Sequence, residues 1–292
     1  MTSTVRATGA LCLALDIGGT KIEAAVISAD GAIRVRQRIA TRAAAPELFD
    51  EVAQLLVEVR FGHDVEVLGV GCGGPMRRSG TAVSPLNIPA WREFNLLDAL
   101  RERTGLPVFI DNDAKALALA EGRFGGAVGM ANYLSMVVST GVGGGLVIDG
   151  RLVDGRDGNA GHIGHVHVEP RGRLCACGAR GCLEAEVSGA AIAAITGDHP
   201  ADAPLAIRER CGDLVGQAVS SAAALLDFDH CFVGGSVALG YGDDFFKAAN
   251  AAVRRDARIA HARTLSIVPT ALDTRGSLLG AAVVAWRSFA RD

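Results

Sequence analysis

One histidine and three cysteines lie close together in the middle of the chain. They are His165, Cys175, Cys177 and Cys182, in the pattern H-x9-C-x-C-x4-C. Three thiolates and one imidazole make the donor set of a closed tetrahedral zinc site. Gly172, Gly178 and Gly181 stand between them, and glycine lets the backbone turn tightly enough to gather the sulfurs. Four protein ligands leave no open position, so the expected zinc is structural rather than a Lewis acid. The run Gly161-His162-Ile163-Gly164-His165 precedes the cysteines and Glu184 follows them. These residues could reach a ligand.

Three glycine loops carry a second kind of chemistry. They are Asp16-Ile17-Gly18-Gly19-Thr20-Lys21, Ser139-Thr140-Gly141-Val142-Gly143-Gly144-Gly145 and Gly234-Gly235-Ser236. Glycine allows backbone N–H groups to approach a phosphate, and Thr or Ser adds a donor. Each loop alone can also be nothing more than a turn. None is a Walker A loop, and none is a G-x-G-x-x-G opening a helix. Each follows an apolar strand, and the first includes Asp16, suited to hold a hydrated Mg²⁺ beside a nucleotide phosphate. Asn112-Asp113 lies where an apolar strand runs into an alanine-rich helix. There Asp113 reads as a helix N-cap or as a general base.

Around these residues the hydrophobic pattern predicts strand, glycine turn and strand over Leu11–Ile27, with a further hairpin turn at Asp30-Gly31. A helix over 46–59, a strand from Val65, a helix over Leu96–Arg103, a strand at 107–112 and a helix from Asp113 follow. The opening theme returns at Tyr133–Val153. Helices are expected over Ala190–Ile195 and Leu205–Phe228, then strand and helix around Cys231–Leu239, a strand near Ser266 and a closing helix from Leu278. The recurrence points to an α/β duplication with two lobes facing across a cleft.

Composition excludes some classes. Of the 292 residues 49% are hydrophobic and the formal net charge is −3. No basic stripe is available to neutralise phosphates, so nucleic-acid binding is not expected. No apolar run approaches the roughly 20 residues of a membrane span. Beyond the cluster, Cys12, Cys72, Cys211 and Cys231 lie in mostly apolar surroundings and read as core thiols of a reducing compartment. With no secretory signal, the cytoplasm is the expected location.

DIGGTK, IDNDA, STGVGGG, AGHIGH with CxCGxxGCxE, and VGGS together closely resemble the ROK family (repressors, open reading frames and kinases). The likeness runs from Leu13 to Ala282. It implies the actin-like ATPase (ribonuclease H-like) duplicated two-lobe fold with a central cleft and a zinc-binding segment. The lobes expected are residues 1–112 plus 277–292 and residues 113–276, the second carrying the zinc site. The family's enzymes transfer the ATP γ-phosphoryl group to a free sugar, usually at the 6-hydroxyl.

By that resemblance Asp113 accepts the proton of the attacking hydroxyl, while Asn112, Asn87, Gly74, His162, His165 and Glu184 contact the sugar. Asp16, Gly18, Gly19, Thr20, Lys21, Thr140, Gly141, Gly143, Gly234, Gly235 and Ser236 serve the nucleotide with Mg²⁺. The family's regulators carry an N-terminal helix-turn-helix. Only about ten residues precede the first strand, so none is expected, although a non-catalytic sugar-sensing regulator is the alternative reading. Homodimers or homotetramers are common in the family.

Two positions depart from the glucokinase pattern. His162 stands where Glu is usual, as in the similar N-acetylmannosamine kinases and in other sugar kinases of the family. Neutral His offers one acceptor and one donor where Glu offers acceptors only, so the 2-substituent end of the sugar is read differently. The expected substrate is therefore a hexose or N-acylhexosamine. Lys115 stands where small or amide residues are common. One turn past Asp113, it is either solvated or perturbs that carboxylate. Trp91 reads as a pocket wall or as core, and His167 as strand surface.

Overall fold

The computed structural model describes residues 11–42, 44–77 and 80–289. The irregular tail expected over residues 1–10 lies outside them. The first half of the chain forms β1 (Leu11–Ile17), β2 (Lys21–Ile27), β3 (Ile33–Ala40), α1 (Leu48–Arg60), β4 (Val65–Cys72), α2 (Leu96–Thr104), β5 (Val108–Asn112) and α3 (Asp113–Phe124). Next come β6 (Tyr133–Val138), β7 (Val142–Ile148), β8 (Arg151–Leu152), α4 (Leu183–Val187), α5 (Gly189–Thr196) and α6 (Leu205–Leu226). The chain closes with β9 (His230–Gly234), α7 (Ser236–Tyr241), α8 (Asp243–Asp256), β10 (Ser266–Pro269) and α9 (Gly276–Phe289).

The duplication expected from the recurring theme is present. One sheet has the order β3-β2-β1-β4-β5 and the other β10-β9-β6-β7-β8. In each, a strand pairs antiparallel with the next strand in sequence and parallel with a later one: β1 with β2 and β4, β6 with β7 and β9. β1 is buried along almost its whole length, as a strand covered on both faces must be. β3, at the sheet edge, alternates and carries Arg34, Arg36 and Arg38, charges that discourage edge-to-edge pairing.

The chain divides into two compact units. The first runs to Phe124 and adds Asp154–Ala160 and the residues from Thr274. The second comprises Gly125–Val153 and Gly161–Asp273. Each has its own apolar core, around Leu13, Leu68 and Ile110 in the first and Met136, Val215 and Phe245 in the second. The limits differ from the expected break between Asn112 and Asp113, because α3 packs closely on α9. A methyl added at Gly280 would lie 2.5 Å from the Ala116 backbone. Among the described residues no helix is long and apolar enough to cross a membrane.

Candidate active site

In the first unit the candidate residues collect at the carboxyl ends of the parallel strands, where open α/β sheets bind ligands. Asp16 is near the end of β1, Gly73 and Gly74 follow β4, and Asn112 ends β5. Asp16 and Asp113 flank Gly71. A methyl there would lie 3.7 Å from an Asp16 carboxylate oxygen and 3.5 Å from the Asp113 Cα. Burial, with Asp113 and Glu23 nearby, pushes the Asp16 carboxyl up to about 7, against Lys21 and a hydrogen bond from Ser277. A carboxylate crowded by others in a buried site is disfavoured unless a cation joins it. Hard oxygen donors of this kind fit Mg²⁺.

The turn after Asp16 is braced from outside. Gly18 N–H donates to the Lys21 carbonyl at 3.0 Å, and the Thr41 hydroxyl donates to the Gly18 carbonyl at 2.7 Å. Gly18 and Gly19 are partly exposed and Thr20 fully so. Lys21 donates to Glu23 at 2.6 Å, and Arg36 holds the other Glu23 oxygen at 2.8 Å. Asn87 sits against this turn: a Cβ at Gly19 would meet the Asn87 Cβ at 2.8 Å.

Asn112, not Asp113, caps α3. Its side-chain carbonyl accepts from Ala114 N–H at 3.1 Å and Lys115 N–H at 3.3 Å. This use of Oδ1 orients the amide N–H₂ of Asn112 to donate elsewhere. Asp113 is the first residue of the helix and is only partly buried, and its Oδ1 accepts from Ala114 N–H at 2.8 Å. Lys115 is not solvated: it is 1% exposed and paired with Asp111 and Asp154. Trp91 belongs to the core, 3% exposed and stacked on Phe94.

In the second unit the glycine loop after β6 and the Gly234-Gly235-Ser236 loop after β9 lie side by side. The Ser139 and Ser236 hydroxyls are 3.0 Å apart. Thr140 and Ser236 are exposed, while Gly141, Gly143 and Gly235 are partly so and Gly234 is buried. Glu184, at the start of α4, accepts from Val142 N–H at 2.8 Å. One of its oxygens therefore holds the glycine loop, and the other can accept from a ligand.

The His165, Cys175, Cys177 and Cys182 donor atoms all lie within 4.8 Å of one another. The Cys177 and Cys182 sulfurs are 3.7 Å apart, and His165 Nδ1 is 3.7 Å from the Cys175 sulfur. Zinc–sulfur bonds near 2.3 Å give a tetrahedral edge of about 3.8 Å, so the donor set fits zinc. His165 faces the cluster through Nδ1, leaving Nε2 on the outer side of the ring. The His162 ring lies nearly parallel to it, centroids 6.1 Å apart. His167 is exposed and bridges to Cys182.

Two supports of this loop escape a reading of the motifs. Gly181 adopts φ +73°, and a Cβ there would meet the Glu169 carbonyl, so only glycine fits. Glu186 is buried and accepts from Arg173 N–H at 2.7 Å, from the Arg173 guanidinium at 2.9 Å and from Arg210 at 2.8 Å. It ties the segment before Cys175 to α6. The only local signal is a carboxylate two residues past Glu184, on the opposite side of a single helical turn.

The chain is similar to known proteins over most of its length. The ROK family model matches residues 12–288. A Streptomyces coelicolor glucokinase is 36% identical over 182 residues, 62% of this chain. The match spans only 57% of that relative's length. An N-acetylmannosamine kinase from Yersinia pseudotuberculosis is 37% identical over 252 residues, 79% of this chain and 84% of its own. The crystal structure of a ROK family glucokinase from Streptomyces griseus in complex with glucose and AMPPNP has a TM-score of 0.83 at 31% identity, covering 95% of this chain and 99% of that one. The fold is therefore the actin-like ATPase fold, and the chain belongs to the ROK family.

Proposed function

We propose that the chain is an ATP-dependent sugar kinase transferring the γ-phosphoryl group to the 6-hydroxyl of a free hexose or N-acylhexosamine. The observation that carries this reading is the placement of Asp113 beside Asp16, separated by Gly71 at the ends of adjoining strands. One carboxylate then serves the attacking alcohol and the other serves the phosphate. Named relatives support the sugar-kinase class: a glucokinase on one side and an N-acetylmannosamine kinase on the other.

In this reading Asp113 takes the proton from the 6-hydroxyl as the phosphoryl group is attacked. Asn112 donates its amide to a sugar hydroxyl, because its carbonyl is used by α3. Glu184 accepts from a second hydroxyl through its remaining oxygen, and His162, Asn87 and Gly74 complete the sugar contacts. Backbone N–H groups of the loops at Gly18-Gly19, Thr140–Gly143 and Gly234–Ser236 hold the nucleotide phosphates. Mg²⁺, held near Asp16, would neutralise the charge that phosphoryl transfer leaves on the leaving oxygens. Zinc on His165, Cys175, Cys177 and Cys182 would shape the sugar-binding segment and leave no position for a reacting group.

The test is coupled ADP release over glucose, mannose, N-acetylmannosamine and N-acetylglucosamine. Turnover on at least one is expected, and the preferred sugar reports what His162 selects. A folded, zinc-loaded chain inert on all four would sink the proposal. Sugar-dependent binding to DNA without turnover would instead favour a regulator.

A further inference from the structure

We propose that Lys115 is a positioning residue for sugar binding, acting through the strap Asp154–Ala160; this rests on the sugar-kinase reading above. The Lys115 ammonium lies against three oxygens, one as an ion pair and two as hydrogen-bond acceptors. They are Asp111 Oδ1 at 2.7 Å, Asp154 Oδ1 at 2.8 Å and the Gly158 carbonyl at 3.0 Å. The side chain is 2% exposed, so its charge is held by these partners and not by water. Asp111 Oδ1 also accepts from Asn112 N–H at 2.8 Å. A continuous set of bonds therefore joins the strap to the residue that caps α3 and precedes Asp113.

The far end of the strap is tied to the other sugar-contact segment. Asn159 accepts from Met76 N–H at 3.2 Å and donates to the Met76 carbonyl at 2.9 Å. Met76 is two residues past Gly74. The strap reads Asp-Gly-Arg-Asp-Gly-Asn-Ala, with Gly155 at φ +73° and Gly158 at φ +87°. It offers no large apolar side chain to bury, so the hydrophobic effect does little to fix it. Among the bonds that hold its place are those from Lys115 and Asn159 and its own Ala160 N–H to Asp154 carbonyl closure at 3.1 Å. Arg287 stands further off, 3.9 Å from Asp154 and 4.0 Å from Asp111. It balances charge without a close bond. Lys115 and Asn159 together hold Asn112, Asp113 and the Gly74 loop in one register.

Lys115→Met removes the bonds and keeps the length of the side chain. The sugar KM is expected to rise about ten- to a hundredfold, as for a small misplacement of substrate contacts, while the ATP KM stays within about twofold. Amide exchange across 154–160 should accelerate in the same variant. Asn159→Ala and Asp154→Asn cut the strap at partly exposed positions, and should give the same split more weakly if Lys115→Met does not fold. An unchanged sugar KM in folded Lys115→Met would overturn the proposal. So would equal rises in both KM values, which mean general destabilisation. Exchange does not depend on turnover, so unchanged protection of the strap overturns the proposal even in an inert chain. A wild-type chain inert on every sugar instead sinks the parent reading.

Discussion

Glu184 and Val142 are joined by a hydrogen bond of 2.8 Å, from the backbone N–H of the glycine loop to the carboxylate that follows the cysteine cluster. A candidate sugar contact and a candidate phosphate loop thus share one carboxylate. A methyl at Gly141 would fall 2.9 Å from the same Glu184 oxygen, the far end of a flexible side chain. Gly141→Ala is expected to displace that oxygen without unfolding the loop. In the wild type, sugar should tighten a non-hydrolysable ATP analogue by about fivefold or more, and the analogue should tighten sugar by the same factor. In Gly141→Ala the factor should fall towards one. Calorimetric titration of each ligand with and without the other reads it directly, and an undiminished factor would show the shared carboxylate to be idle.

Asp113→Asn keeps the size of the side chain and removes the base. Turnover should fall by roughly 10²- to 10⁴-fold, while sugar affinity changes by no more than a few-fold. The cap on α3 is supplied by Asn112, so the helix should keep its stability. Loss of sugar affinity in step with turnover would assign Asp113 to binding instead.

The purified chain should contain one zinc per molecule. Closed thiolate sites contribute folding free energy, so a strong chelator should lower thermal stability and open the loop. Thiol titration gives a counted readout. Cys12, Cys72, Cys211 and Cys231 are each 0–1% exposed, and should stay unreactive after chelation while the three cluster cysteines react. If Cys211 and Cys231 of the same unit react together with them, the metal holds the whole second unit and not a local segment. Metal analysis without zinc would remove the basis of the prediction.

The sequence and the structure agree where local chemistry decides. Apolar strands ended by glycine turns at Gly18-Gly19 and Thr140–Gly143 could be read directly, because burial on both faces leaves a continuous apolar run. The cysteine cluster was equally plain, because its ligands lie within one short segment. Helix α8 is not legible in the sequence. Its buried Phe245, Ala249, Ala252 and Val253 have helical spacing, but small alanines dilute the stripe and Gly242 offers no capping side chain. The burial of Lys115 has only a weak local sign, the Asp111 carboxylate four residues before it. Its partner Asp154 is 39 residues away, and pairing at that separation exists only after folding. The sequence admits Asp113 as the cap because acidic residues favour that place. The helix starts at Asp113 itself, directly after the strand, so the cap falls to Asn112.

Glu186 should give the second unit a definite acid sensitivity. Burial works to raise its carboxyl. The Arg173 N–H and the Arg210 and Arg173 guanidinium groups outweigh that and hold it below the usual range. A carboxylate whose folded value is depressed contributes stability above its unfolded value near 4.3, and loses it as pH falls through the folded value. Glu186→Gln should therefore cost about 2 kcal/mol at neutral pH, the scale of hydrogen bonds to charged groups. The deficit should shrink as the solution is acidified below about pH 4.5, because the wild type loses the same interactions by protonation. Denaturant titrations of both proteins at pH 7 and pH 4 measure the difference. A deficit that is constant or larger at pH 4 would mean that Glu186 holds the Arg173 segment by shape and not by charge.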